Sequence, residues 1–188
     1  MTATTILCIR HGQSTFNAAW AATGADPMHY DARLSALGRE QVVAARATLL
    51  AYPVEIVLVS PLTRAIETAL GVFDGHPNAP AMRIVPLLRE RVESTCDVGR
   101  SSAELAAEFP GLAFDHVPSV WWHVDGAADE RGVCLEPEDA VRARVDAFRK
   151  VLREHRERVI AVVGHGTFLR HLTGRSFANC EVVELTLG

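Results

Sequence analysis

The sequence predicts an α/β protein, a three-layer sandwich with a mostly parallel sheet between two layers of helices. Three observations carry that expectation. Strand-length apolar runs alternate with segments whose apolar residues recur at helical spacing. The 188 residues contain no internal repeat, linker or low-complexity stretch, so a single domain over 1–188 is expected. Chemistry-bearing residues follow the ends of three predicted elements, where open parallel sheets bind ligands.

The first run, Thr4 to Ile9, reads as a buried strand and stops at Arg10-His11-Gly12. An irregular stretch follows. Ser35 is a capping residue for a helix to about Leu50, with Val42, Ala45 and Leu49 on one face. Glu55 to Val59 is the second strand. Ser60-Pro61 then reads as an N-cap with Pro at the first helical position, leading into a helix through Arg64, Ile66 and Leu70. A short strand near Met82 to Val85 follows the turn-rich Gly75 to Pro80. Ser101 to Glu104 fits a capping box, and its helix ends before Pro110-Gly111. Residues 111–135 read as irregular. Glu136 to His155 is a long amphipathic helix with Val141, Val145, Phe148 and Leu152 inward. Val159 to Val163 is a strand ending at Gly164-His165-Gly166, followed by a helix over about Thr167 to Thr173 and a last strand at Val182 to Leu187.

Composition narrows the partners. The net charge of −4 argues against nucleic acid. No apolar run reaches transmembrane length, and no signal-peptide pattern opens the chain, so a cytoplasmic protein without membrane contact is expected. Cys8, Cys96, Cys134 and Cys180 show no metal-ligand spacing and are expected as reduced thiols.

Two imidazoles beside glycines, delivered by two strand ends with arginines nearby, suit a phosphoryl group. A neutral imidazole is a competent nucleophile near neutral pH. The forked donors of Arg10 and Arg64 match phosphoryl oxygens, and His165 can donate to a third. Gly12, Gly164 and Gly166 are read as glycines that let backbone approach a ligand closely. A carboxylic acid is also required, to protonate the leaving oxygen.

These residues carry a resemblance. Arg10-His11-Gly12-Gln13-Ser14 with Asn17 resembles the signature of the histidine phosphatase superfamily, which includes cofactor-dependent phosphoglycerate mutase. Leu34-Ser35 with Gly38 and Gln41, Ser60-Pro61-Leu62-Thr63-Arg64-Ala65, Leu88-Arg89-Glu90 and Gly164-His165-Gly166 resemble its later motifs in order. The resemblance implies a phosphoglycerate-mutase-like fold, no metal and no cofactor. It implies His11 as the phosphohistidine, Arg10, Arg64 and His165 as the phosphate pocket, and Glu90 as proton donor. Glu93 competes with Glu90 for that role. Asn17 matches a phosphate-contacting position; Ser14, Thr23 and Gly24 match positions near substrate in the mutase branch.

The chain departs from phosphoglycerate mutases in lacking their Arg-rich insertion after the acid. That favours a hydrolase acting on a small phosphorylated substrate over a mutase, or over a non-catalytic phospho-ligand binder on the same fold. The segment 91–135 is expected to pack over the pocket as a lid carrying specificity. Trp121 and Trp122 read as packing residues, and Cys96-Asp97 as a turn with a small buried thiol. His171 reads as a bystander. No G-x-S-x-G elbow, P-loop or H-E-x-x-H motif offers another mechanism.

Overall fold

Consecutive aliphatic and β-branched residues make Thr4–Arg10 the first strand, β1. The structure, a computed structural model, describes residues 4–187; positions 1–3 and 188 of the expected domain lie outside the described residues. Four more strands follow: β2 (Ile56–Val59), β3 (Ala81–Ile84), β4 (Val159–Gly164) and β5 (Val182–Leu187). Six helices accompany them: α1 (Thr15–Thr23), α2 (Ala36–Leu49), α3 (Thr63–Val72), α4 (Ser102–Glu108), α5 (Glu138–Glu154) and α6 (Gly166–Thr173).

The five strands form one sheet in the order β3-β2-β4-β1-β5. All neighbours are parallel except β5, which runs antiparallel to β1 at the edge. Helices cover both faces, which explains why the strands read as continuous apolar runs. Alternation sorts their side chains. Leu7, Ile9, Val57, Val59, Ala161 and Val163 pack against α2 and α3. Ile6, Cys8, Leu58, Ile160 and Val162 pack against Val141, Val145, Phe148 and Leu152 of α5 and Phe168 and Leu169 of α6. Each fully buried aliphatic side chain contributes about 1.5–3 kcal/mol relative to exposure. Among the described residues, no helix is long and apolar enough to cross a membrane.

Three elements differ from the sequence reading. Helix α1 occupies the stretch read as irregular. Only Phe16 of α1 is buried, so it has no apolar stripe to betray it. Four alanines, the Ser14–Asn17 capping box and a left-handed Gly24 C-cap support it instead. Helix α3 starts at Thr63 rather than at Ser60-Pro61. Its first N–H is capped from a distance, because Asp31 accepts from the Thr63 N–H at 2.8 Å and from the Thr63 hydroxyl. Helix α5 starts at Glu138, because Glu136 is drawn into a buried ion cluster and Pro137 takes the N-cap.

The segment 91–135 divides. Glu93, Ser94, Cys96 and Asp97 reach the cavity described below. Leu105, Phe114, Val117 and Trp121 join the core on the α2–α3 side. Trp121 also donates to the Arg100 carbonyl at 2.9 Å and meets Trp122 edge to face. These large apolar side chains add to the core because they gain more from burial than from lying over a polar cleft.

Candidate active site

Parallel pairing of β1 with β4 sets Arg10 opposite Gly164, and the His11 N–H donates to the Gly164 carbonyl at 3.0 Å. The two residues that leave these strands therefore start side by side. The rings of His11 and His165 lie 5.1 Å apart at 55°.

The orientation of His11 is fixed at both nitrogens. Nδ1 lies 2.7 Å from the Gly12 carbonyl, which only accepts, so Nδ1 carries the proton. Nε2 then presents its lone pair, to which Arg64 Nε donates at 3.3 Å. Burial, then the Arg64 charge, holds His11 well below its ordinary value of 6.5. The ring is a neutral imidazole with its nucleophilic nitrogen toward a cation.

Gly12 is required here by a close backbone approach. A Cβ on it would sit 2.7 Å from the Gly38 carbonyl, and one on Gly38 would sit 2.1 Å from the Gln13 carbonyl. Gly164 and Gly166 are less crowded, with nearest neighbours at 3.8 and 3.4 Å. Of the three glycines, Gly12 alone is closely constrained, and by the start of α2.

His165 is fully buried behind His11. Its Nε2 lies 2.7 Å from the Ser60 hydroxyl. Leu62 N–H also donates to that hydroxyl oxygen at 3.3 Å. Nδ1 of His165 is a buried atom with no partner among the described residues. Burial, followed by the Arg64 charge, lowers this imidazole well below 6.5 as well. Arg10 Nε is a second buried nitrogen without a partner, while its Nη1 donates to the Phe177 carbonyl at 2.6 Å. Orphaned buried nitrogens are uncommon in native proteins; Arg10 lines the cavity described next and its Nε fits an anion, whereas His165 lies behind His11 and does not line that cavity.

Arg64 is buried and already engaged. Besides His11, it donates to the Cys96 carbonyl at 2.5 Å and pairs with Asp97 at 2.9 Å. Burial pushes the Asp97 carboxyl up from 3.8 to about 6, against the opposing pull of Arg64. Glu90 sits at the start of α6, where its oxygens accept from Thr167 N–H at 2.9 Å and Phe168 N–H at 3.1 Å, and from Arg91 N–H at 2.8 Å. The Glu90 backbone is held from below by Arg144, which donates to the Leu87 and Arg89 carbonyls and forms a buried pair with Glu136 at 2.8 Å.

A cavity of about 290 Å³ opens over these groups. Arg10, His11, Asn17, Arg64, Glu90 and Glu93 all line it. Asn17 accepts from the Ser14 N–H through Oδ1 at 3.1 Å, so its amide NH₂ is the end free for an oxyanion. Glu93 is exposed and pairs loosely with Arg91 at 3.6 Å. Ser14 does not line the cavity; it is buried as the N-cap of α1. Thr23 and Gly24 lie at the other end of α1, about 12 Å along the helix axis. Thr23 turns back to the Ala19 carbonyl, and Gly24 is the C-cap. The helix itself, unforeseen in the sequence, carries both away from the pocket.

The sequence reading missed the role of Ser60 beside His165 and the pairing of Asp97 with Arg64. A capping box at Ser94 and Asp97 is the one local signal that marked that turn. Arg170, Ser176 and Phe177 also line the cavity without having been singled out.

Comparison with known proteins decides the family. The family model described as histidine phosphatase superfamily (branch 1) matches residues 6–184. This chain belongs to the histidine phosphatase superfamily. It is 29% identical over 210 residues to an Arabidopsis thaliana protein named phosphoglycerate mutase-like protein, covering 94% of this chain and 76% of the relative. It is 31% identical over 176 residues to a probable phosphatase of Schizosaccharomyces pombe, covering 88% of this chain and 76% of that protein. A solved phosphoglycerate mutase from Bacillus anthracis shares its fold, with a TM-score of 0.67 at 18% identity over 99% of this chain and 88% of that one. As a member of the histidine phosphatase superfamily, the chain carries a phosphatase or mutase-like function.

Proposed function

We propose that this chain is a metal-independent hydrolase that cleaves a small phosphomonoester through a phosphohistidine on His11. The observation that carries the proposal is the fixed tautomer of His11, with the Nε2 lone pair facing the Arg64 cation. Nε2 attacks phosphorus and the P–O bond to the leaving group breaks. Arg10, Arg64 and His165 hold the equatorial oxygens, and the Asn17 amide adds a fourth donor. Glu90 gives its proton to the leaving oxygen and then takes one from the water that attacks the phosphohistidine. Ser14 supports Asn17 through the capping box at the start of α1. The protein would work on a small phosphorylated metabolite in the cytoplasm.

The test is a panel of phosphometabolites assayed with chelator present, comparing wild type with His11→Ala. Wild type is expected to release phosphate and form an acid-labile phospho-enzyme. His11→Ala is expected to lose at least about 10³-fold in turnover, as nucleophile removal does elsewhere. Turnover of His11→Ala at the wild-type rate, or activity abolished by chelation, overturns the mechanism.

A further inference from the structure

The turn Thr95–Asp97 places a carboxylate inside a pocket otherwise built for anions. Asp97 Oδ1 accepts from Arg64 Nη2 at 2.9 Å, and Oδ2 accepts from the Ser94 N–H at 3.1 Å and the Glu93 N–H at 3.4 Å. The two side chains are 4% and 3% exposed, so water screens the pair little. Arg64 also donates through Nη1 to the Cys96 carbonyl and through Nε to His11. Each of its three nitrogens therefore has one N–H engaged. A two-pronged grip on a phosphoryl group takes one edge of the guanidinium. Either edge includes a nitrogen that Asp97, Cys96 or His11 already holds.

We infer that Asp97 is a positioning residue for Arg64, one that aims its fork and competes for it with the oxygens of an incoming phosphoryl group. The inference rests on the proposed phosphoryl pocket and deepens it. Asp97 cannot easily swing aside. Thr95 donates to Asp26 through N–H at 3.0 Å and hydroxyl at 2.6 Å, and Asp26 is in turn paired with Arg131 at 2.8 Å. Two negative groups on one guanidinium repel, and the relief that remains is protonation of the carboxyl.

The charges facing Asp97 define the direction. Arg64 approaches from α3 and Glu90 from the segment after β3, and the Glu93 N–H donates from its own turn; His11, beyond Arg64, is neutral. Burial already brings Asp97 to about 6, and a bound dianion raises it further. Above that value, anion binding takes up a proton. Affinity then falls as pH rises.

Sulfate is the probe, because its charge is constant over the range. Binding is measured by equilibrium dialysis with radiolabelled sulfate for wild type and Asp97→Asn from about pH 5 to about pH 8. In the variant, the amide oxygen keeps the two backbone N–H groups and the NH₂ stands where Oδ1 stood; as a donor it cannot accept from the guanidinium, and the fork is released. For wild type, the Kd is expected to rise by up to about tenfold per pH unit above about pH 6, while Asp97→Asn changes far less. Asp97→Asn is also expected to lower KM and kcat together above that pH, since it frees Arg64 but leaves it poorly aimed. Parallel curves for the two proteins, or a flat wild-type curve, overturn the inference. A second measurement uses wild type alone: calorimetry at about pH 7 in two buffers of different ionisation heat is expected to show proton uptake on sulfate binding, and no uptake overturns the inference even if Asp97→Asn misfolds. A pH-dependent sulfate site in a protein without phosphatase activity leaves the role of Asp97 standing and removes the proposed function. A phosphohistidine with a flat sulfate profile does the reverse.

Discussion

Arg64 Nε lies 3.3 Å from Nε2 of His11, joining the first turn of α3 to the end of β1 across 53 residues of sequence. The contact fixes which nitrogen of the imidazole meets the cavity and places a permanent cation beside it. A lysine would keep the charge and lose the geometry, since an ammonium cannot face His11, Cys96 and Asp97 with one planar fork. Arg64→Lys is expected to lower kcat/KM by about 10²- to 10³-fold, in line with loss of an oxyanion donor. Steady-state kinetics on the substrate found in the panel measures it.

Glu136 does not line the cavity, yet the site depends on it. It is fully buried and pairs with Arg144 and Arg89 at 2.8 Å each. Arg144 in turn holds the carbonyls that precede Glu90. Removing one partner of a buried pair leaves the other uncompensated, at about 3–5 kcal/mol. Glu136→Ala is expected to lose stability on that scale in urea unfolding, and to lower kcat because Glu90 is no longer held.

Acid stability follows from the two site histidines. Both are held well below 6.5 in the folded chain, so the unfolded chain binds their protons first as pH falls. Their contribution is present above about 6.5 and is lost below it. Each histidine can contribute a slope of up to about 1.4 kcal/mol per pH unit. His165→Asn is expected to flatten the acid limb of a urea-derived stability profile, and an unchanged limb would count against buried, neutral rings.

Asp97 works in the opposite sense. Its carboxyl is raised from 3.8 to about 6, so its stabilising contribution is present at low pH and lost as pH rises through about 6. Asp97→Asn is expected to gain stability over wild type on going from about pH 5 to about pH 7.5 in the same assay.

Gly38 offers a purely steric test. A Cβ there meets the Gln13 carbonyl at 2.1 Å, two residues along the chain from His11. Gly38→Ala is expected to cost about 1–3 kcal/mol, read as a lower thermal midpoint, and to disturb turnover through the backbone of Gln13.

Much of this architecture was legible because periodicity survives without coordinates. The runs at Ile6–Ile9 and Val159–Val163 read as buried strands, and the helix over Val141–Leu152 showed its inward face. Arg10, His11, Arg64 and Glu90 were identified from their motifs, and the structure gathers them around one cavity. Helix α1 escaped because it buries one residue, so no stripe marked it. Ser60 carried a capping signal that tertiary contact overrode, when Asp31 capped α3 and the Ser60 hydroxyl turned to His165.

Local order along the chain thus determined the strands, most helices and the identity of the groups able to do phosphoryl chemistry. What those groups touch was decided only on folding. The partnerships of Asp97 with Arg64 and of Ser60 with His165 depend on distances between segments remote in sequence. Such distances are set by which faces of the sheet and helices bury together, and side-chain pattern within any one segment does not encode them.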